Sequence, residues 1–230
     1  MSTNKNDQVH EDNFENLEEA LGRTEQYIEK NQKKLTTIAL AIMVVAVAIF
    51  AFQKYYKAPL EENAKSQIYQ AQRYFDQDSF KLVLNGDENY PGVLSIIDEF
   101  GSTSAGNLSQ YYAGISYLRI GEFQKAIDHL GKFSSDDFLL STEAIAATGD
   151  AYMELGETKK AASNYMDASS FNANDFTTPI YLQKAGIAYE MVGDFNSAIA
   201  AYEKIEKDFA KSAEARDVEK YITRAKAMLK

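Results

Sequence analysis

The sequence predicts an all-α chain: a single N-terminal transmembrane helix, then a solenoid of helical hairpins closed by a C-terminal capping helix. Three observations predict it. One spacing, Gly-x2-Tyr-x3-Gly-x4-Ala, occurs three times, at Gly114, Tyr117, Gly121 and Ala126, at Gly149, Tyr152, Gly156 and Ala161, and at Gly186, Tyr189, Gly193 and Ala198. An uncharged run of eighteen residues, Leu35 to Phe52, precedes the repeats. A last amphipathic stretch, Lys211 to Leu229, sets Ala215, Val218, Ile222, Ala225 and Leu229 on one helical face, as a solenoid needs to cover its final apolar surface.

The repeats are offset by 35 and then 37 residues, as helix-turn-helix units of about 34 residues with small loop insertions require. Each internal interval has a physical cause. The first glycine lets the first helix approach its neighbour without a Cβ between them, and the tyrosine three residues on fills the space between successive pairs. The second glycine falls where a helix ends on a left-handed C′ residue. The alanine is the small contact at which the second helix crosses the first. Phe123 and Phe195, with Tyr165 and Tyr202, complete the aromatic positions. The pattern resembles the tetratricopeptide repeat, although that family's tryptophan is missing and the chain has none.

As a helix, Leu35 to Phe52 spans about 27 Å, close to the hydrocarbon thickness of a bilayer. Lys33 and Lys34 flank one end, and Gln53, Lys54, Tyr55, Tyr56 and Lys57 the other, which sets amines and amphipathic rings at the interfaces before Pro59 interrupts the helix. A cleaved signal peptide and a buried core helix are the competing readings. The run is longer than a signal peptide's apolar region and follows 34 mostly polar residues, and the cleavage-like Ala46-Val47-Ala48 lies inside it, so a retained anchor over 35–57 is expected. Arg23, Lys30, Lys33 and Lys34 before the span, against Lys54, Lys57 and Lys65 after it, favour a cytoplasmic N-terminus.

The net charge is -10. Residues 1–57 carry 7 basic and 8 acidic groups, so the excess lies in the repeats, with 17 basic against 26 acidic. Such a surface repels nucleic-acid phosphates and anionic headgroups and suits partners with basic or apolar segments. Without cysteine, and with only His10 and His129, the chain offers no thiolate, no histidine pair and no catalytic constellation. Neither an enzyme nor a cofactor or metal is expected.

Residues 1–34 form a polar leader, disordered to about residue 12 by composition. From Phe14, with Asn13 as a cap, Phe14, Leu17, Leu21 and Ile28 keep one apolar face. That face fits either a helix lying at the membrane surface or a docking helix for a membrane partner. The solenoid is expected over 58–230: a degenerate repeat 60–106, repeats 107–141, 142–178 and 179–210, and the capping helix 211–229. The degenerate repeat joins a helix over Leu60 to Gln77 to a second over Val93 to Phe100 through an enlarged loop, Phe80 to Gly92. Its Asp87, Glu88 and Asn89 lack the ligand spacing of a calcium loop, which leaves a solvated or partner-contact loop.

In a tetratricopeptide superhelix, repeat positions two, five, nine, twelve and thirteen line the concave face. Here these are Leu108, Tyr111, Ile115, Leu118 and Arg119, then Glu143, Ala146, Asp150, Met153 and Glu154, then Ile180, Gln183, Ile187, Glu190 and Met191. Ile115, Leu118, Met153, Ile187 and Met191 suit an apolar or amphipathic segment, and Asp150, Glu154 and Glu190 suit its basic side chains. The lysine and asparagine clamp with which some members hold a peptide carboxylate is absent at Tyr111, Ile115, Ala146, Asp150, Gln183 and Ile187. An open peptide groove and one filled by the solenoid's own packing both fit this lining. Replacing Ile115, Met153 and Ile187 with Asp separates the two if the domain stays folded.

Leader, span and solenoid in this order, with Tyr27-Ile28-Glu29-Lys30-Asn31-Gln32-Lys33-Lys34-Leu35 leading into the anchor, resemble the YfgM-like proteins, membrane-anchored ancillary subunits of the bacterial Sec translocon. The resemblance implies a leader in the cytoplasm, an anchor beside SecYEG in the inner membrane, and repeats in the periplasm near client polypeptides and the chaperone PpiD. The enlarged loop Phe80 to Gly92 and the regular later repeats depart from that family. Two other readings are a periplasmic scaffold for cell-envelope or outer-membrane assembly, which the uncut anchor and missing lipobox cysteine disfavour, and an organelle import receptor with cytosolic repeats.

Overall fold

The computed structural model describes the backbone of residues 5–229 and the side chains of 28–229. The chain is 79% helical, and no strand forms among the described residues. It divides into two units, one ending at Ala58 and the other beginning at Pro59.

The first unit is α1 (Lys5–Phe52) followed by a π turn, Gln53–Lys57. α1 contains a segment long and apolar enough to cross a membrane, and none of it is buried in protein. A helix apolar on every side and covered by no protein suits hydrocarbon rather than a protein core. α1 starts at Lys5, so the leader is helical well before Asn13, the expected cap. Lys, Glu and Gln extend a helix at little cost once it is nucleated, and Gly22 alone does not stop it. Residues 1–4 and the side chains of Phe14, Leu17 and Leu21 lie outside the described residues, while Ile28 is exposed. Tyr55 and Tyr56 on the π turn are exposed, and Tyr56 stacks on Phe52 at 5.1 Å. Pro59, expected to interrupt the helix, is instead the second residue of α2 (Ala58–Asp76), directly after the π turn.

In the second unit α2 packs on α4 (Val93–Phe100) and α5 (Ser104–Arg119) through Ala64, Ile68, Ile96, Phe100 and Ala105. Three hairpins follow: α5 with α6 (Phe123–Leu130), α7 (Phe138–Glu154) with α8 (Thr158–Phe171), and α9 (Thr178–Met191) with α10 (Phe195–Asp208). Each core bridges neighbours. Tyr111, Ile115 and Leu130 meet Ala144 and Ala147 of α7, Tyr165 of α8 meets Ala185 and Ala188 of α9, and Tyr202 and Ile205 of α10 meet Val218 and Ile222 of α11 (Val218–Ala227).

The repeated spacing has the expected causes. A Cβ added to Gly186 would lie 2.3 Å from Cε1 of Tyr202, and one on Gly149 2.8 Å from Cε1 of Tyr165. Leu130 holds the same place beneath Gly114, 2.5 Å from an added Cβ. Gly121, Gly156 and Gly193 are left-handed, with φ of +83°, +75° and +76°. After each, an acidic residue donates its N–H to the repeat's tyrosine carbonyl at 2.9 Å: Glu122 to Tyr117, Glu157 to Tyr152 and Asp194 to Tyr189. These are three Schellman closures. Ala126, Ala161 and Ala198 are fully buried at the crossings.

Several boundaries differ from expectation. α5 and α7 start before residues 107 and 142, because Thr103 Oγ1 caps Gly106 N–H at 2.9 Å and Asp137 Oδ1 caps the N–H groups of Leu139 and Leu140. Phe80 to Gly92 is not all loop: α3 (Phe80–Asn85) buries Val83 and Leu84, and Asp87 Oδ1 ties the turn by accepting from Asn89 and Tyr90. The closing helix begins at Val218, after a 3₁₀ turn, Glu214–Arg216, and Leu229 is exposed rather than on the covering face.

Candidate peptide groove

α5, α7 and α9 lie side by side and enclose a groove of about 750 Å³. Ile115, Leu118 and Arg119 of α5, Asp150, Met153 and Glu154 of α7, and Ile180, Tyr181 and Lys184 of α9 line it, with Glu143 and Ala146. Three helices thus bring together nine of the fifteen concave positions: Ile115, Leu118 and Arg119 of α5, Glu143, Ala146, Asp150, Met153 and Glu154 of α7, and Ile180 of α9. Tyr111, Gln183, Ile187, Glu190 and Met191 fall outside this hollow.

Tyr111 and Ile115 are 5% and 7% exposed, because both pack into the core between the first two full hairpins. The groove is therefore filled at its α5 end and open toward α9. Burial, then its hydrogen bond to Glu143, pushes the Tyr111 hydroxyl pKa well above the ordinary range. Ile180, Ile187 and Met191 are exposed along α9. Intervals of seven and four residues keep them on one helical face, so the apolar lining continues beyond the hollow.

Two of the three carboxylates expected to receive a ligand's cations are engaged within the chain. Asp150 Oδ1 accepts from the Tyr165 hydroxyl and from Lys184 Nζ, both at 2.7 Å. Glu190 accepts from the Tyr202 hydroxyl at 2.9 Å and, through both oxygens, from Nε and Nη2 of Arg224, each at 2.9 Å. In each case the tyrosine comes from the same hairpin and the cation from 34 residues further along. Burial first, and the carboxylate second, raises the pKa of both tyrosines. The hydrogen bond that Arg224 donates to Glu190 raises that of Arg224. Glu154 and Arg119 are exposed and make no ion pair among the described residues. They are the charges left for a ligand.

Tyr181, Lys184 and Phe123 also line the groove but fall outside the five template positions. A cation one repeat length after Asp150 was the signal available for Lys184. Among the described residues no cluster of His, Cys, Asp and Glu is arranged to hold a metal ion.

Residues 108–136 match the family model described as tetratricopeptide repeat. Among solved structures, the crystal structure of nearly identical TPR-like repeats from a Podosopora anserina protein assigned to the kinesin light chains is similar, with a TM-score of 0.51 and 15% identity over 73% of this chain and 87% of that one. A point-substituted form of the same protein gives 0.49 and 14% over the same shares. No curated protein matches the chain. The chain thus carries a tetratricopeptide repeat within a tetratricopeptide-like helical solenoid, a fold that typically serves as a non-catalytic scaffold for protein partners.

Proposed function

We propose that this protein is a membrane-anchored interaction scaffold, a chaperone-like accessory factor of the Sec protein translocation machinery, without chemistry of its own. Residues 35–57 cross the bacterial inner membrane once, the leader lies in the cytoplasm, and the solenoid works in the periplasm. There it takes up segments of client polypeptides beside the SecYEG translocon and a PpiD-like chaperone.

The observation that carries the scaffold is the open end of the groove, where Met153, Ile180 and the exposed face of α9 lie beside the unpaired Glu154. An amphipathic segment with a basic side chain fits it: its apolar face covers the α9 stripe and its cation meets Glu154. The translocon assignment is supported by the order of leader, span and solenoid and by Tyr27 to Leu35.

Affinity purification from gently solubilised membranes tests the partner set. Translocon subunits and a PpiD-like chaperone are expected to travel with the protein, and an exclusively outer-membrane set would overturn the assignment. The groove is tested at exposed positions, since Asp at the nearly buried Ile115 would perturb the core. Ile187→Asp with Met191→Asp is expected to weaken crosslinking to clients about tenfold, the loss from removing one strong interface contact, at unchanged helicity. Undiminished crosslinking would reject the site.

A further inference from the structure

Three first helices end alike. Arg119, Glu154 and Met191 are the last residues of α5, α7 and α9, and each stands two residues before a left-handed glycine, Gly121, Gly156 or Gly193. The same bond from N–H to tyrosine carbonyl then closes each end at 2.9 Å. One backbone geometry thus presents three different side chains at equivalent points of three neighbouring helices. All three are exposed. Crossing from α5 to α9, the rim at these helix ends reads guanidinium, carboxylate, thioether.

Deeper in the groove, charge is either absent or already answered. One turn inward, Ile115 is buried, Asp150 holds Lys184 and the Tyr165 hydroxyl, and Ile187 is apolar. Glu190 holds Arg224. Glu143 stands eleven residues before Glu154, about 16 Å away along the α7 axis, and accepts from the Tyr111 hydroxyl. None of the ion pairs among the described residues includes Arg119 or Glu154. The floor therefore selects a ligand by apolar fit, and the rim selects it by charge.

We infer that the occupant is an extended protein segment with an acidic, a basic and an apolar side chain in that order at three-residue intervals. The base lies in the middle, over Glu154, with the acid toward Arg119 and the apolar group toward Met191. The inference rests on the groove being a peptide site and adds which peptide it takes. Spacing sets the interval: neighbouring packed helices lie about 8–10 Å apart, and a polyproline II chain advances about 9 Å per three-residue turn, returning to the same face each time. An α-helix returns to one face only after seven residues, a length that fills roughly 1,000 Å³ at a diameter of about 11 Å and a rise of about 1.5 Å per residue. The hollow holds about 750 Å³, so the narrower chain fits. Because the base faces the central helix, the order does not depend on which way the segment runs, and exchanging acid and base brings like charges together at both contacts. A polybasic segment gains little here, since Asp150 and Glu190 already hold cations of this chain.

Full-length protein in detergent is titrated into each of two fluorescein-labelled, proline-rich peptides, and binding is read by fluorescence polarisation. One peptide carries glutamate, arginine and leucine at three-residue intervals; in the other the glutamate and arginine are exchanged. The first is expected to bind about tenfold more tightly, as two surface ion pairs formed in one and opposed in the other allow, and the difference is expected to shrink toward none in about 1 M salt. Arg119→Glu with Glu154→Arg is expected to reverse the preference at unchanged helicity, since both side chains are exposed. Equal binding of the two peptides to the unsubstituted protein overturns the charge order and leaves the groove standing as a peptide site. A preference that survives the exchange of Arg119 and Glu154 overturns it as well. Binding of neither peptide also overturns the inference, and client crosslinking of Ile187→Asp with Met191→Asp, which is blind to charge order, decides whether the groove falls with it.

Discussion

Two glycines of one repeat unit do different work, and their replacements separate the two costs. Gly156 has φ of +75° and nothing within 4 Å of an added Cβ, so Gly156→Ala meets only the backbone penalty of the left-handed region, roughly 1–2 kcal/mol. Gly186 faces the fully buried ring of Tyr202, and Gly186→Ala must displace a side chain whose hydroxyl is held by Glu190. Overpacking of that kind costs roughly 1–3 kcal/mol. Urea unfolding of the single and double variants distinguishes them. With Tyr202→Ala the Gly186→Ala cost is expected to shrink and the Gly156→Ala cost to remain. Equal, additive costs at both positions would show that close helix approach is not what the first glycine provides.

Among the elements, α11 decides whether the solenoid has a finished end. Val218, Ile222 and Ala225 are buried against α10, and Arg224 clasps Glu190 on the concave side, so the helix covers the last core and fixes the last carboxylate. Ile222→Ala is expected to cost about 2–5 kcal/mol, the range for deleting a buried isoleucine side chain. Leu229→Ala, on the same spacing but past the end of α11 at Ala227, is expected to stay within about 0.5 kcal/mol, because Leu229 is exposed. Chemical denaturation of both variants checks this. A Leu229→Ala loss comparable to that of Ile222→Ala would restore the longer covering face that periodicity alone draws.

Across the solenoid three buried tyrosine rings donate a hydroxyl hydrogen bond to a carboxylate: Tyr165 and Tyr202 to the first helix of their own hairpins, at Asp150 and Glu190, and Tyr111 of α5 to Glu143 of the next hairpin. Burial, then the carboxylate, raises all three pKa values above the unfolded value of about 10. For a group whose folded pKa is raised, the associated stability is fully present below the unfolded pKa and is lost as pH rises toward the folded one. Thermal unfolding of the full-length protein in detergent is expected to show a midpoint that falls progressively above pH of about 10. Tyr165→Phe should be less stable at neutral pH and less sensitive to alkali. An unchanged alkaline slope in that variant would remove the tyrosine from the account.

Read alone, the sequence determined the all-helical class, the three hairpins, their glycine-ended first helices and the apolar span. Each depends on periodicity and local backbone chemistry: the intervals from Gly149 to Ala161 hold whatever else the chain touches. It also put repeat positions such as Ile115, Asp150 and Met153 on one inward face, and these residues line the hollow between α5, α7 and α9. Tertiary structure alone decided which of those residues are free. Asp150 and Glu190 look alike in sequence to Glu154, but only packing delivers Lys184 and Arg224 to the first two, 34 residues along the chain, and leaves Glu154 open. The same holds for Tyr111, whose burial needs α7.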